Sequence, residues 1–392
     1  MTRVTCPSCP VCSSKGEPFW KLHDVPAVSN ILLATAQEAR EVARAGLDLA
    51  WCCSCSLVWN ARFDPQLADT AEGYEETQAH SGTFRRWLEA FIDELTRRYD
   101  LQGRAVVDVG CGRGDFLQAL CQSTGGPGLG IDPSRTAGRI GGPTTRFLHQ
   151  RLEDSDPFAD ADLVACRHTL EHVASPLAFL RALRRRMRDG AVLLLEVPDV
   201  ERILREGAFW DLYHEHSLYF SPRSLRTLAA LAGFEELQVE SVFGDQNLVL
   251  HARAGSEGTD PDASPDRNAT ARLIEEFLGE AHRGLESTRT AIQAESARGG
   301  RTILWGAGSK ATGFLVTTGL GEEISAVVDI NPDKQGSYIA GSGHAVVSPE
   351  QGAALSPDLV VVMNPLYVNE IGADLAARGC SPRITSLGAA RT

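Results

Sequence analysis

The sequence predicts an α/β protein with two parallel β-sheets and, ahead of them, a small cysteine-rich module. In two separate stretches of the chain, short apolar runs alternate with helical segments, an order typical of parallel sheets covered by helices on both faces. Within each stretch a glycine-rich turn follows an apolar strand. Six of the ten cysteines fall within the first 55 residues. We therefore expect three domains, at residues 1–75, 76–255 and 256–392.

Length and charge narrow the class of protein. A chain of 392 residues is long enough for two or three domains. Its net charge of -13 disfavours nucleic acid and anionic membranes as partners. No apolar run reaches the length of a membrane span, and residues 1–16 lack the apolar segment of a signal peptide. We expect a cytoplasmic protein that acts on a small molecule, as a monomer or a small homo-oligomer.

The N-terminal cysteines predict a structural zinc site. Two CxxC pairs supply four thiolates, the ligand set of a closed tetrahedral site: Cys9, Cys12, Cys52 and Cys55. Cys6 also forms a CxxC with Cys9, and Cys53 is a further candidate, so the choice of four ligands stays open at this point. A redox pair would need a neighbouring βαβ unit, which is absent from the pattern. Between the two pairs, Thr35–Ala45 is predicted to be a helix.

The first α/β stretch begins with an amphipathic helix over Thr83–Tyr99. Four short apolar runs then predict buried strands, at Ala105–Val109, Gly128–Asp132, Asp162–Cys166 and Ala191–Val197. Helical segments between them include Phe116–Cys121 and Pro176–Met187. This alternation predicts a parallel sheet with helices on both faces.

The turn after the first of these strands has the pattern of an adenosine-binding turn. Gly110, Gly112 and Gly114 form a GxGxG sequence between strand and helix, with Asp108 just before them. Asp132 ends the next strand, where a carboxylate accepts ribose hydroxyls. A dinucleotide site has the spacing GxGxxG and holds a phosphate, beside which Asp108 would be a poor neighbour. The acids suit the cationic S-adenosylmethionine; the alternative is a turn whose glycines serve packing alone.

The region from Leu101 to Pro198 resembles the class I methyltransferases, whose core is a Rossmann-like parallel sheet. The segment Arg167–His172 follows the third strand and resembles their fourth-strand region, and Leu152-Glu153 resembles their adenine-contact segment. The resemblance implies that Leu152, Glu153 and His168 contact the methyl donor.

The second α/β stretch follows a polar linker at Ala254–Asn268 and a long amphipathic helix. Its strands are predicted at Thr302–Trp305, Ile324–Asp329 and Leu359–Met363. Together they predict a second parallel sheet.

A second glycine-rich turn, Gly306–Thr312, opens a helix of this domain. Ser309 and Lys310 at the helix N-terminus suit a phosphate of a nucleotide-activated substrate. Asn364 and Tyr367 follow another strand, at the carboxyl edge where α/β sheets bind ligands. Two alternatives are a lysine that packs the domains together and a nicotinamide-dinucleotide site, for which the glycine spacing is a weak match.

Taken over its whole length, the chain resembles the deoxysugar C-methyltransferase family, which includes the nucleotide-sugar 3-C-methyltransferases. The matching segments are the two CxxC pairs, Val25–Asn30, Asp108–Gly114, Tyr213–Phe220, Trp305–Lys310, Asp329–Gly336 and Asn364–Tyr367. The resemblance implies a zinc-binding module, a class I methyltransferase domain and a C-terminal Rossmann-like domain. It also implies S-adenosylmethionine and structural zinc as cofactors, a nucleotide-linked keto-deoxysugar as acceptor, and a role in natural-product biosynthesis.

The segment Tyr213–Phe220 is the chemical centre that this resemblance implies. His216 matches the general base that removes a proton beside the ketone of the sugar, giving an enolate that takes the methyl group. Histidine suits this role because its pKa lies near neutral. Tyr213 and Glu215 would position the sugar or the base, Tyr213 or His214 would donate a hydrogen bond to the enolate oxygen, and Tyr219 would contact the substrate. The alternative is a polar run tucked into the core.

One departure from the family leaves the acceptor open. Phe243–Leu248 does not match the Gly-Gly-Ser segment of the sugar 3-C-methyltransferases. The methylated atom can therefore be carbon, oxygen or nitrogen. A non-catalytic protein that binds S-adenosylmethionine is the remaining alternative. The intact glycine-rich turn at Asp108–Gly114, called the donor turn because we expect it to bind the methyl donor, disfavours this alternative.

Overall fold

A computed structural model describes residues 7–68, 77–134, 141–256 and 267–388. These residues form three sheets of four, seven and five strands. Among them, no helix combines the length and the apolarity needed to cross a membrane.

The N-terminal residues build an antiparallel sheet in the strand order β1-β2-β3-β9. Its elements are β1 (Gly16–Pro26), α1 (Ala36–Arg40), β2 (Arg44–Cys52), β3 (Val58–Asn60), α2 (Pro65–Ala68) and, from much later in the chain, β9 (Leu218–Tyr219). The predicted helix Thr35–Ala45 is too long. Only five residues are helical, capped by the Thr35 side chain, because Arg44 already pairs with Pro26 in the sheet.

The middle part contains the seven-stranded sheet, in the order β10-β11-β8-β7-β4-β5-β6. Its strands are β4 (Val106–Val109), β5 (Gly128–Ile131), β6 (Thr145–Leu148), β7 (Leu163–Arg167), β8 (Val192–Pro198), β10 (Phe234–Val242) and β11 (Asn247–Ala254). Its helices are α3 (Gly82–Tyr99), α4 (Asp115–Thr124), α5 (Pro176–Arg186), α6 (Val200–Glu206) and α7 (Pro222–Leu231). The four predicted strands are confirmed, with ends within one residue of the expected positions.

This sheet is mostly, not wholly, parallel. Strands β4 to β8 run parallel, whereas the hairpin of β10 and β11 joins β8 antiparallel. The predicted parallel sheet is confirmed for β4 to β8, and the antiparallel hairpin extends it at the β8 edge. The carboxyl edge of these parallel strands lies beside the glycine-rich turn after β4, where open α/β sheets bind ligands.

The C-terminal part is a five-stranded parallel sheet in the order β14-β13-β12-β15-β16. Its elements are α8 (Arg267–Ala297), β12 (Thr302–Trp305), α9 (Ser309–Thr318), β13 (Ile324–Val328), β14 (Val346–Val347), α10 (Pro349–Ala354), β15 (Leu359–Val362), α11 (Val368–Ala377) and β16 (Arg383–Ser386). All three strands predicted here are confirmed. The predicted linker, Ala254–Asn268, overlaps both neighbouring elements: Ala254 is the last residue of β11, and Arg267 is the first residue of α8. Residues 257–266 lie outside the described part.

Contacts between the parts bring the two parallel sheets edge to edge. Glu370, at the start of α11, accepts hydrogen bonds from Ser81 Oγ at 2.8 Å and from the amides of Gly82 and Thr83 at 3.1 and 2.9 Å. It thereby caps α3, whose first amides have no partner within the helix. Gln246 and Asn364 exchange two side-chain hydrogen bonds of 2.8 and 3.1 Å. The carboxyl edges of both sheets therefore enclose one space.

Candidate active site

A cavity of about 570 Å³ lies between the two carboxyl edges. Its walls come from the turn after β4, the start of α3, the segment after β7, the segment before β9, the turn between β10 and β11, and the turns of the C-terminal sheet. Of the predicted site residues, the cavity is lined by Asp108, Gly110, His168, Tyr213, His216, Ser309, Lys310, Asn364 and Tyr367.

The glycine-rich turn after β4 is built as a backbone cradle. Gly110 has φ 75, and a Cβ on it would lie 1.9 Å from Thr169 Oγ1, so only glycine fits there. The Gly112 amide donates to Asp132 Oδ2 at 2.9 Å, and the Ser134 amide donates to Asp132 Oδ1 at 2.7 Å. Gly114 has φ 93 and begins α4. Asp132 thus braces the turn from behind the cavity wall.

Asp108 fits a cationic ligand. Its carboxylate is buried, and among the described residues Oδ1 has no hydrogen-bond partner. Burial raises the pKa of this carboxyl to about 7, and nearby Arg167 only partly offsets the effect. An ammonium group beside Asp108 would donate a hydrogen bond to this oxygen, and S-adenosylmethionine carries one.

His168 lies at the end of β7 as a cation. Its Nε2 is 3.2 Å from Glu196 Oε1, and its Nδ1 is 3.4 Å from Glu171 Oε1. Burial lowers the pKa of His168, but the two carboxylates outweigh it and raise the pKa to about 10. Glu196 is fully buried and also accepts from Arg167 Nε at 2.5 Å. Both predicted adenine contacts lie outside the cavity wall: Leu152 is buried beneath it, and Glu153 is exposed.

His216 faces the cavity with its ring against those of His172 and Tyr213, at centroid distances of 4.9 and 5.0 Å. Its Nδ1 is buried and has no hydrogen-bond partner among the described residues. Burial, aided by His172, lowers the pKa of His216 to about 3. The expectation of a histidine pKa near neutral is therefore wrong for the ligand-free cavity. The imidazole is neutral and free to accept a proton, but it is a weak base.

His172 is a neighbour that the motif analysis missed. Its Nδ1 donates to the Glu215 carbonyl at 3.0 Å. Together, Glu171, His172 and His216 bring one ligand atom each within 4.8 Å of one another, a set that could hold a divalent cation. The sequence signal that could have revealed His172 is its place directly after Glu171, in the segment Arg167–His172.

Tyr213 and Lys310 meet at a carboxylate that the sequence analysis did not select. Asp211 Oδ1 accepts from Lys310 Nζ at 2.6 Å and from the Tyr213 hydroxyl at 3.1 Å, and Asp211 Oδ2 accepts from Arg202 Nη2 at 2.6 Å. Arg202 and Lys310 lower the pKa of Asp211 despite its burial, so it is ionised. Lys310, predicted to bind a phosphate, is thus engaged by Asp211.

Three residues of the same segment point away from the cavity. His214 is fully buried, with Nδ1 donating to the Gly46 carbonyl at 2.8 Å in the N-terminal sheet. Glu215 accepts from the amide of Ser29 at 3.0 Å and from its hydroxyl. The Tyr219 hydroxyl donates to the Tyr213 carbonyl at 2.8 Å and so fixes the backbone of the segment. These side chains hold His216 and Tyr213 in place from behind.

The C-terminal turn repeats the geometry of the first one. The Ala307 amide donates to Asp329 Oδ2 at 2.7 Å, and the Asn331 amide donates to Asp329 Oδ1 at 2.8 Å. Ser309 begins α9 at the cavity wall, and the Tyr367 hydroxyl donates to Gln78 Oε1 at 2.6 Å. The same wall also contains Lys334, whose Nζ donates to Asn30 Oδ1 at 3.0 Å. Asn30 and Lys334 lie in the segments Val25–Asn30 and Asp329–Gly336, and the sequence pattern of these segments did not indicate that the two residues meet.

Four cysteines converge in the N-terminal module. The Sγ atoms of Cys9 and Cys55 lie 3.6 Å apart, those of Cys12 and Cys52 3.4 Å, and those of Cys12 and Cys55 3.6 Å. Zn–S bonds of about 2.3 Å in a tetrahedron place sulfurs about 3.8 Å apart, so the four thiols fit a zinc ion. Cys53 lies outside this group, with Sγ 3.8 Å from the Lys15 carbonyl. Cys6 lies outside the described residues.

Comparison with known proteins agrees with this arrangement. Residues 83–239 match the family described as a methyltransferase domain, and residues 267–379 match the C-methyltransferase C-terminal domain. The C-methyltransferase NovU of Streptomyces niveus is 26% identical over 317 residues, covering 76% of this chain and 75% of its own. A ubiquinone biosynthesis O-methyltransferase of Methylococcus capsulatus is 32% identical over 168 residues, covering 40% of this chain and 67% of its own.

Among solved structures, a SAM-dependent methyltransferase from Aquifex aeolicus is 19% identical and covers 49% of this chain and 100% of its own, with a TM-score of 0.37. The two family matches fall on the seven-stranded and five-stranded sheets whose carboxyl edges form the cavity. The chain therefore belongs to the class I S-adenosylmethionine-dependent methyltransferases.

Proposed function

We propose that the protein methylates a carbon atom of a nucleotide-linked keto-deoxysugar. The observation that carries this proposal is one shared cavity, which is lined by Asp108 and Gly110 together with His216, Ser309 and Lys310. S-adenosylmethionine supplies an electrophilic methyl group when bound beside Asp108 and Gly110. The name of the relative NovU, a C-methyltransferase, supports carbon as the acceptor atom.

In this proposal, His216 takes the proton from the carbon beside the ketone. Its buried, unpartnered Nδ1 and its neutral ring support the role. Tyr213 shapes the same wall, and Glu215, His214 and Tyr219 position the segment from behind. Ser309, Asn364 and Tyr367 contact the nucleotide part of the acceptor. The four-cysteine group holds one structural zinc, because its closed set of thiols leaves no open position for a substrate.

Transfer to oxygen or nitrogen is the second candidate, favoured by the 32% identity to an O-methyltransferase. Solvent exchange separates the two. The protein is incubated in D2O, without methyl donor, with a panel of nucleoside-diphosphate-linked 4-keto-6-deoxyhexoses. Carbon methylation predicts deuterium at the carbon beside the ketone, and a new C–CH3 signal by NMR once S-adenosylmethionine is added. Methylation without prior exchange, with the new methyl on oxygen or nitrogen, would overturn the proposal.

A further inference from the structure

An enolate that forms in this cavity needs a hydrogen-bond donor at its oxygen, because the negative charge that develops there is otherwise unstabilised. The groups nearest to His216 do not offer one. The proton of the Tyr213 hydroxyl is donated to Asp211 at 3.1 Å. The Nδ1–H of His172 is donated to the Glu215 carbonyl at 3.0 Å, and His214 lies outside the cavity.

Lys310 lies on this wall and retains free donors. Its ammonium has three N–H bonds, and among the described residues Nζ has one acceptor, Asp211 Oδ1 at 2.6 Å. The side chain is 22% exposed and lines the cavity. Because Lys310 and the Tyr213 hydroxyl share one carboxylate oxygen, and the Tyr213 ring contacts that of His216, the ammonium lies close to the base.

Asp211 keeps this ammonium in place. The other Asp211 oxygen accepts from Arg202 at 2.6 Å, and both Asp211 and Arg202 are buried. A carboxylate held on two sides leaves Lys310 little freedom to swing away from the wall. Burial lowers the pKa of Lys310, with Asp211 acting against it, and a more acidic ammonium is a stronger donor.

We propose that Lys310 is a catalytic residue: its ammonium donates to the ketone oxygen of the acceptor and stabilises the enolate, and Asp211 is the positioning residue that aims it. This inference rests on the proposed carbon methylation. It assigns Lys310 to the reacting ketone and not to the nucleotide phosphate, which was the role predicted from the sequence.

In the proposed reaction, each bond that forms is matched by a bond that breaks. His216 takes the proton, the C–H electron pair becomes the C=C bond, and the ketone oxygen becomes an enolate oxygen held by Lys310. The enolate carbon then forms a bond to the methyl group as the methyl–sulfur bond breaks, the ketone is restored, and His216 releases its proton to solvent. A donor at the ketone oxygen assists His216, because it makes the neighbouring C–H more acidic.

The test compares Lys310→Met with the wild type in the exchange assay, which needs no methyl donor. We expect exchange to fall about 10²- to 10³-fold, as for loss of one oxyanion donor. The inhibition constant of the free nucleoside diphosphate should change less than about twofold, because charge at the phosphate is unaltered. The diphosphate used is the one carried by the panel sugar that the protein turns over. Asp211→Asn should lower exchange by a smaller factor. The surface variant Lys21→Met is the matched lysine control, because the Lys21 side chain is 54% exposed beside Asp48.

The outcomes separate cleanly. Binding of S-adenosylhomocysteine and the melting temperature report whether Lys310→Met has folded. Two results with folded Lys310→Met would overturn the role of Lys310 and leave the proposed function standing. One is exchange at the wild-type rate. The other is weaker binding of the nucleoside diphosphate with an unchanged exchange rate at saturating acceptor. Absence of both exchange and carbon methylation in the wild type, across the panel, overturns the proposed function and this role with it.

Discussion

The backbone amide of Gly112 donates to the carboxylate of Asp132 at 2.9 Å, which locks the donor turn to the end of the neighbouring strand. The C-terminal sheet repeats this bond between Ala307 and Asp329 at 2.7 Å. The protein thus offers two turns of like geometry, of which we expect one to bind the methyl donor.

The two acids provide a matched pair of variants. Asp132→Ala should weaken binding of S-adenosylhomocysteine by about 10- to 100-fold, because it removes a charged hydrogen-bond acceptor and releases the turn. Asp329→Ala, with the same local loss in the other sheet, should leave this affinity unchanged. Calorimetric titration of both variants measures the difference. Weakening in Asp329→Ala alone would move the donor to the C-terminal turn and revive the nicotinamide alternative.

The pH dependence of donor binding should follow Asp108. Its pKa of about 7 leaves the carboxyl neutral below that pH and ionised above it. The ammonium of S-adenosylhomocysteine favours the ionised form, so affinity should fall by about tenfold for each pH unit below 7 and level off above it. Titrations between pH 5.5 and 8.5 test this, with Asp108→Asn as the control that should show no such slope. A flat wild-type profile would contradict a contact between Asp108 and the ammonium.

Asp108 should also affect stability in the ligand-free protein. Because its pKa is raised on folding, its contribution favours the folded state at low pH and is lost as the pH rises through about 7. Asp108→Asn should therefore gain stability relative to the wild type as the pH rises from about 4 to about 7, with no further gain above that. Thermal melts across this range check the direction, and a constant difference at every pH would be the contrary result.

Replacing His216 by Asn should abolish exchange and turnover while changing S-adenosylhomocysteine affinity less than twofold. The lowered pKa, about 3, has a further consequence for the wild type. Its imidazole is already neutral at pH 5 in the ligand-free cavity, so kcat/KM for deuterium exchange, which needs no methyl donor, should show no histidine titration between pH 5 and 8. Retained turnover in His216→Asn would remove His216 as the base, and an acid limb near pH 6.5 would contradict its lowered pKa.

Metal analysis should find one zinc per chain. Cys12→Ser should lose it and melt at a lower temperature, because a structural zinc contributes folding energy. Cys53→Ser should retain it, since its Sγ lies outside the four-thiol group. Stable, metal-free wild-type protein would refute the site. A second equivalent that disappears in His216→Asn would place a metal at Glu171, His172 and His216 and contradict the role of His216 as base.

The cap that Glu370 places on α3 should stabilise the closed arrangement of the two sheets. Glu370→Ala removes three hydrogen bonds and should cost about 1–2 kcal/mol in free energy of unfolding. Glu350→Ala removes a surface ion pair with Arg378, in which Glu350 is 68% exposed, and should cost little. Chemical denaturation of both variants tests the contrast, and equal losses would show that the cap contributes nothing specific.

Sequence patterns predicted the parallel strands well and the N-terminal sheet poorly. Strands buried on both faces are uninterrupted apolar runs, such as Leu163–Cys166 and Leu359–Val362, and their positions depend little on distant residues. The stretch after Arg40 carries charges at helical spacing, yet Arg44–Cys52 is a strand, because its pairing with Gly16–Pro26 and Val58–Asn60 outweighs local propensity.

Within the site, the sequence by itself determined the chemistry that is present: two glycine-rich turns with their acids, the His-Glu-His segment and four paired cysteines. Only the tertiary structure decided which of these groups act together. A bend at His214 and Glu215 sends those side chains into the N-terminal sheet and turns His216 toward the cavity. Lys310 meets Asp211 across 99 positions of chain because the two sheets join at their carboxyl edges. Spacing along a chain cannot reveal such encounters, since they depend on how separately folded elements pack.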